Sequence, residues 1–351
     1  MALADEPLAA ALLTVIDVLG GSAGVVLHYH DDERYPPEWT SMTAPNTDPA
    51  HVATLAQQYG ADPAGLRDVI LLVPPDRVAR RQQDYPHIPV VPLTVHPSEL
   101  TIRDWRLLLG VSGTQAYMQE LVRMLRDLGD APDIAALRDA VAHSERAVQQ
   151  QRVLRLRLAH AARVVSTDQH LRSHMRAGRR CIVDVRDPLL GPDAARGLFL
   201  TVLAIVAGSA TQSNKLVVCD AAHKLVRSPQ LTAQITRIVR QMRHQGVTLV
   251  LASQDPPSVP RTVIARASLV CMHRRSAPAW LTHVQRAITA FRTRKPDDLA
   301  TLPVGDAYVW ARDTSHARCA TGPARIRMRP RRTQHGGATR QATRAVPPEL
   351  V

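Results

Sequence analysis

Lys215 to Leu225 reads KLVVCDAAHKL, an apolar run that ends in Asp220 and is followed by two alanines and a His-Lys pair. A carboxylate at the end of a buried parallel strand stands at the sheet's carboxyl edge, where it can hold the water shell of a phosphate-bound magnesium ion. The plainer reading is a core strand that happens to end in Asp. The next β-like run, VTLVLASQD, ends in the amide Gln254, a group able to sense a terminal phosphate at the same edge. Two other patterns lead elsewhere. GGSAG, Gly20 to Gly24, satisfies G-x-S-x-G. That nucleophile elbow must follow a strand and open a helix, whereas here a helical stretch precedes and an apolar strand follows, so it reads as a flexible turn. HYHDD sets His28 and His30 on one side of a strand. With no clear third ligand elsewhere, a buried strand end is preferred to a metal pair.

The elements that must position these residues follow from periodicity. EPLAAALLTVIDVL (Glu6 to Leu19) reads as a helix stopped by Gly20-Gly21, and GVVLHYH (Gly24 to His30) as a strand. DVILLVPP (Asp68 to Pro75) and IPVVPLTV (Ile88 to Val95) are further β-like runs. From Ser98 to Arg176 the period becomes helical, opening with Ser98 as the expected N-cap of SELTIRDWRLLLG. CIVDVRDP returns to strand, AARGLFLTVLAIVA is a buried helix, and QLTAQITRIVRQMRHQG is an amphipathic helix closed by Gly246. Strands that are continuous apolar runs and alternate with helices predict a parallel sheet covered on both faces, with ASLVCMH among its strands. GDAYVWAR and ARIRMRPR are expected as late strands, antiparallel at an edge.

The 351 residues carry 44 Lys plus Arg against 31 Asp plus Glu, a net charge of +13, so a polyanion is the electrostatic partner and nucleic acid the first candidate. Only three of the cations are lysines, and a compositional bias toward Arg explains the charge equally well. The four cysteines show no CxxC spacing, which fits a reducing cytosol without metal clusters. No apolar run approaches the roughly 18 residues that span a bilayer, and no export signal is present, so a cytoplasmic location is expected.

KLVVCDAAHKL, the helix ending in RQMRHQG, LVLASQDPPSVP, SLVCMHRRSAPAW and LPVGDAYVWAR resemble, in order and spacing, the second half of the ATPase core of the HerA-FtsK superfamily, with the HerA-type and conjugation-type ATPases nearer still. These are hexameric DNA-pumping motors. HYHDDERYPPEW, SELTIRDWRLLLG and CIVDVRDP resemble blocks of bacterial ATPases of this type, so the likeness spans roughly residues 24 to 330 and is most specific from Lys215 to Pro260.

The resemblance implies an α/β, RecA-like additional-strand fold with a mostly parallel sheet, helices on both faces and a helical insertion. It implies ATP and Mg2+ as cofactors, DNA as partner, and assembly as a homo-hexamer or with intact ATPase subunits. Asp220 matches the Walker B carboxylate that serves the metal, Gln254 the phosphate sensor, and Arg243, with Arg240 one turn earlier, the arginine that reaches a neighbouring subunit's nucleotide. For both arginines an exposed basic helix face explains the residues equally well.

Two departures bear on activity. Ala221 stands where the family has the Glu that polarises attacking water, and a methyl group cannot act as a base. The phosphate loop G-x-x-x-x-G-K-[ST] is missing around Lys215, Lys224 and Lys295. The chain is expected to begin just past that loop, with EPLAAALLTVIDVL as the remainder of its helix. The expected organisation is residues 1–97 as the first part of the ATPase core, 98–176 as the helical insertion, 177–332 as the second part, and 333–351 as a basic disordered tail. Arg325, Arg327, Arg329, Arg331 and Arg332 are the expected nucleic-acid contacts. Weak or absent ATP hydrolysis in a motor-related subunit is the expected function. The alternative is a non-catalytic nucleic-acid-binding or assembly protein that retains the fold.

Overall fold

Five-residue runs of Val, Ile, Leu and Cys expose nothing polar on either side, so they pair only where helices cover both faces of a sheet. The computed structural model describes residues 23–28, 42–109, 116–129, 132–144, 148–185, 192–208, 215–219, 229–312 and 322–334. Its parallel sheet comprises β1 (Ala23–His28), β2 (Val69–Val73), β3 (Val90–Pro92), β4 (Arg180–Asp184), β5 (Lys215–Cys219) and β6 (Val247–Leu251), in the order β3-β2-β4-β1-β5-β6. Every residue of β2, β4 and β5 is buried. Alternate side chains serve opposite cores: Val217 and Cys219 of β5 join one cluster, Leu216 and Val218 the other.

The helices among the described residues are α1 (Pro49–Tyr59), α2 (Val78–Asp84), α3 (Ile102–Leu108), α4 (Ala116–Asp127), α5 (Ile134–Ala142), α6 (Val148–Ala161), α7 (Pro192–Gly208), α8 (Pro229–Gln245), α9 (Arg261–Ile264), α10 (Pro278–Ala287) and α11 (Pro296–Ala300). Helix α7 is apolar around most of its circumference and packs between the sheet, α3 and α8. Gly197 permits this: a Cβ there would fall 2.1 Å from the Leu107 carbonyl oxygen. Helix α3 is capped by Thr101 rather than Ser98. Thr101 Oγ1 accepts from the Asp104 amide and Asp104 Oδ2 accepts from the Thr101 amide at 3.0 Å, while Ser98 lies in a preceding 3-10 turn. A Pro at residue 97 starts that turn, and Leu100, extended, separates it from the helix.

A second sheet, β7 (Leu269–His273), β8 (Asp306–Ala311) and β9 (Ala324–Arg327), is antiparallel and encloses its own core with α10 and α11. Here the expectation is corrected. The ASLVCMH strand belongs to this sheet and not to the parallel one, because its ladder runs antiparallel to β8. The last two strands form no edge of the parallel sheet either, since β9 pairs only with β8 among the described residues. Among the described residues the parallel sheet ends at β6, whose Leu249, Val250 and Leu251 are only half-buried, and β7 opens with Leu269, 55% exposed.

The chain returns after β9 to the first sheet's layer. Arg331 and Arg332 carbonyls accept from Asn46 Nδ2 and the Asn46 amide, Gln334 donates to the Ala44 carbonyl, and Thr333, 1% exposed, bridges Pro45. Thr333 and Gln334 are thus built into the fold, and the rest of the expected tail lies outside the described residues. Among the described residues no helix is long and apolar enough to cross a membrane.

Candidate functional site

In parallel register Leu27 faces Cys219 and Cys219 faces Leu251, so β1, β5 and β6 finish level with one another. The Ala252 amide donates to the Cys219 carbonyl at 3.0 Å and holds the exit of β6 beside that of β5. Asp220 follows Cys219 directly in sequence and, with Ala221, lies outside the described residues. Gln254, half-buried, sits three residues past Leu251 in a loop pinned by Ser253 Oγ, which accepts from the Asp255 amide at 3.1 Å, and by Ser258 Oγ, which donates to the Asp255 carbonyl at 2.7 Å. Strand connectivity therefore leads the chain toward Asp220 and Gln254 from adjacent strand ends.

The same edge carries a carboxylate that sequence reasoning passed over. Asp184, the last residue of β4, is 1% exposed and its Oδ2 lies 3.4 Å from Arg81 Nε of α2. Its signal was available, since CIVD is an apolar run ending in Asp just as KLVVCD is. A carboxylate held by a buried guanidinium is not free to bind a metal. The described residues contain no group of three His, Cys, Asp or Glu that could hold a metal ion. The His28 and His30 side chains lie outside them.

Nor does a described lysine reach this edge. Lys215 starts β5 at the opposite edge, is 2% exposed, and donates from Nζ to the Ala207 carbonyl at 3.1 Å, satisfying the C-terminus of α7. Burial, then the Arg172 charge, pushes its ammonium down from the ordinary lysine value. Lys295 is the exposed N-cap of the five-residue helix α11. The described residues thus offer Gln254 at the carboxyl edge, with the Arg81 guanidinium there held by Asp184 and no described lysine beside it.

Arg240 is exposed on α8, five residues before its end at Gln245, and lines a groove of about 490 Å³ with Ala233, Thr236, Arg237 and Gln241. Helix α8 runs back toward the start of β6, so Arg240 stands away from the strand ends that carry Asp220 and Gln254. Arg243 lies on the same helix, and its side chain is outside the described set.

The C-terminal arginines are less available than their sequence implied. Arg325 Nε and Arg327 Nη1 donate to Asp306 Oδ2 and Oδ1 at 2.8 and 2.9 Å across β8 and β9. Their hydrogen bonds, ahead of any burial cost, hold the Asp306 carboxyl below its usual range. Arg332 Nε donates to the Asp62 carbonyl at 2.6 Å, and Arg329, lowered by burial and then by the Arg332 charge, donates to the Pro330 carbonyl. Arg331 is half-buried in the segment that crosses to Asn46.

No protein-family profile matches the chain, and no curated protein matches its sequence. Solved structures do. The chain is similar to the bacterial conjugative coupling protein TrwB lacking its first 70 residues, in a trigonal form with sulphate, at a TM-score of 0.57 and 14% identity, over 95% of this chain and 84% of that one. It is likewise similar to TrwB in complex with the GTP analogue GDPNP, at 0.56 and 14%, over 95% and 85%, and to TrwB with ADP and Mg2+, at 0.54 and 15%, over 97% and 85%. At these identities the likeness establishes the fold: a RecA-like α/β core with a mostly parallel sheet.

Proposed function

We propose that this chain is a DNA-engaging subunit built on the core of conjugation-type, DNA-translocating ATPases, with weak or no ATP hydrolysis of its own. The observation that carries the reading is the level finish of β5 and β6, which leads Asp220 and Gln254 out of adjacent strands in a fold shared with a coupling protein described with ADP and Mg2+. Ala221 supports the loss of turnover, because the family's water-polarising Glu is absent.

ATP and Mg2+ binding, if retained, would use Asp220 for the metal's water shell and Gln254 for the terminal phosphate. Arg243 or Arg240 would act on a neighbouring subunit's nucleotide, within a hexamer or beside intact ATPase subunits. The second reading, a non-catalytic nucleic-acid-binding or assembly protein that retains the fold, is favoured specifically by Lys215, which is buried at the opposite edge with its Nζ donating to the Ala207 carbonyl.

Titration calorimetry with magnesium-ATP and a steady-state phosphate-release assay test the proposal. Micromolar binding, or turnover abolished by Asp220→Ala, overturns the claim of lost activity. No binding and no turnover, together with retained DNA binding, supports it.

A further inference from the structure

Helices α3 and α8 both pack on the buried α7, and α3 approaches it at the closeness that Gly197 allows. Both bury residues in the same core cluster on one face of the parallel sheet, so they lie in one helical layer. Arg103 and Arg106 lie one turn apart on α3, Arg237 and Arg240 one turn apart on α8, and all four residues are exposed. Acidic residues on these helices are few. Helix α8 contains no acidic residue. The only acid of α3, Asp104, is buried and accepts from the Thr101 amide at 3.0 Å and from Thr101 Oγ1 at 2.6 Å. None of the four arginines has an ion pair or hydrogen bond to another side chain among the described residues, in contrast to Arg325 and Arg327 on Asp306. Arg103 is lowered by burial first and next by the charge of Arg237 across the interhelical gap, with Asp104 opposing and Arg106 adding to the shift, so the like charges of Arg103 and Arg237 lie in mutual reach. Such neighbours repel, and a folded protein gains from an anion that lies between them.

We infer that Arg103, Arg106, Arg237 and Arg240 form a track for the phosphate backbone of duplex DNA across α3 and α8. Guanidinium groups bind phosphate oxygens bidentately, which suits a row of them to successive phosphates. The groove beside Arg237 and Arg240 is lined otherwise by Ala233, Thr236 and Gln241 and presents no aromatic face for base stacking. Trp105 of α3 is 1% exposed and turned to the core. Contact is therefore with backbone and indifferent to base sequence. The inference rests on the DNA-engaging reading above.

Fluorescence anisotropy on a labelled 30-base-pair duplex across a salt series tests it. Each neutralised phosphate adds about 0.9 to the slope of log affinity against log salt, so the fourfold variant Arg103→Gln, Arg106→Gln, Arg237→Gln, Arg240→Gln should lose about 3 to 4 from that slope. The fourfold Lys variant, which keeps the charges, should retain it, and circular dichroism should show both folded, since all four side chains are exposed. A wild-type chain that binds with a slope unchanged in the Gln variant overturns the track alone. A wild-type chain that binds no duplex at physiological salt overturns the DNA-engaging reading, and the track with it.

Discussion

Arg81 Nε lies 3.4 Å from Asp184 Oδ2, with the two side chains only 3% and 1% exposed, and the pair ties α2 to the end of β4. Arg81 also donates to Asp84 at 2.9 Å. An ion pair withdrawn from water in this way contributes little against a well-packed apolar pair, but it cannot lose one member cheaply. Asp184→Asn or Arg81→Met alone should each destabilise the chain by about 3 kcal/mol or more. The double replacement Arg81→Met, Asp184→Asn should cost clearly less than the sum of the two. Urea unfolding of the four proteins checks this, and additive losses would mean that the pair is not coupled.

Asp306 gives a pH dependence of defined sign. Its carboxyl is held below the ordinary 3.8 by the hydrogen bonds from Arg325 and Arg327. A depressed carboxyl contributes stability above its unfolded value and loses it as pH falls through its folded value. The second sheet should therefore loosen only below about pH 4, and Asp306→Asn should flatten that acid limb. The same variant releases two guanidinium groups. If Arg325 and Arg327 contact DNA, its affinity rises, whereas unchanged affinity assigns them to the β8–β9 ladder.

Gly197→Ala discriminates packing from propensity. Within an unconstrained helix the change stabilises by up to about 1 kcal/mol. Here the new Cβ meets the Leu107 carbonyl at 2.1 Å, so α3 must move off α7 and the expected change is a loss of about 1–3 kcal/mol. The sign of the melting-temperature shift decides between them, and the Arg103–Arg237 track should weaken along with it.

A truncation meant to probe the basic tail must spare the segment that crosses to Asn46. Ending the chain after Gln334 removes Arg340 and Arg344 and should lower the DNA salt slope by no more than about 2. Ending it after Arg329 removes the Arg332 carbonyl that receives both the Asn46 and the Ala64 amides, so hydrogen exchange at those two amides should accelerate.

The half-exposed edge of β6 should make the isolated chain associate as its concentration rises. Thr248→Lys, at the exposed position of β6, should reduce that association in multi-angle light scattering. An equally monomeric wild-type and variant would show that the edge is covered in solution.

Strands β2, β4 and β5 were legible from the residues because a strand buried on both faces cannot tolerate polar alternation, and VILLV, RCIVD and KLVVC carry almost none. Helices α7 and α8 were legible for the complementary reasons, an apolar circumference in one and a 3.6-residue period in the other. The pairing of β7 was not, because ASLVCMH has the composition of a strand in either sheet, and direction is set by the strand beside it. Charge was legible only as a total. That Asp306 would occupy Arg325 and Arg327, that Arg81 would occupy Asp184, and that Arg103 and Arg237 would meet depends on residues 19 to 134 positions apart. Coulomb energy follows distance in space, and those distances were decided by the packing of α3 and α8 on α7 and by the ladder between β8 and β9.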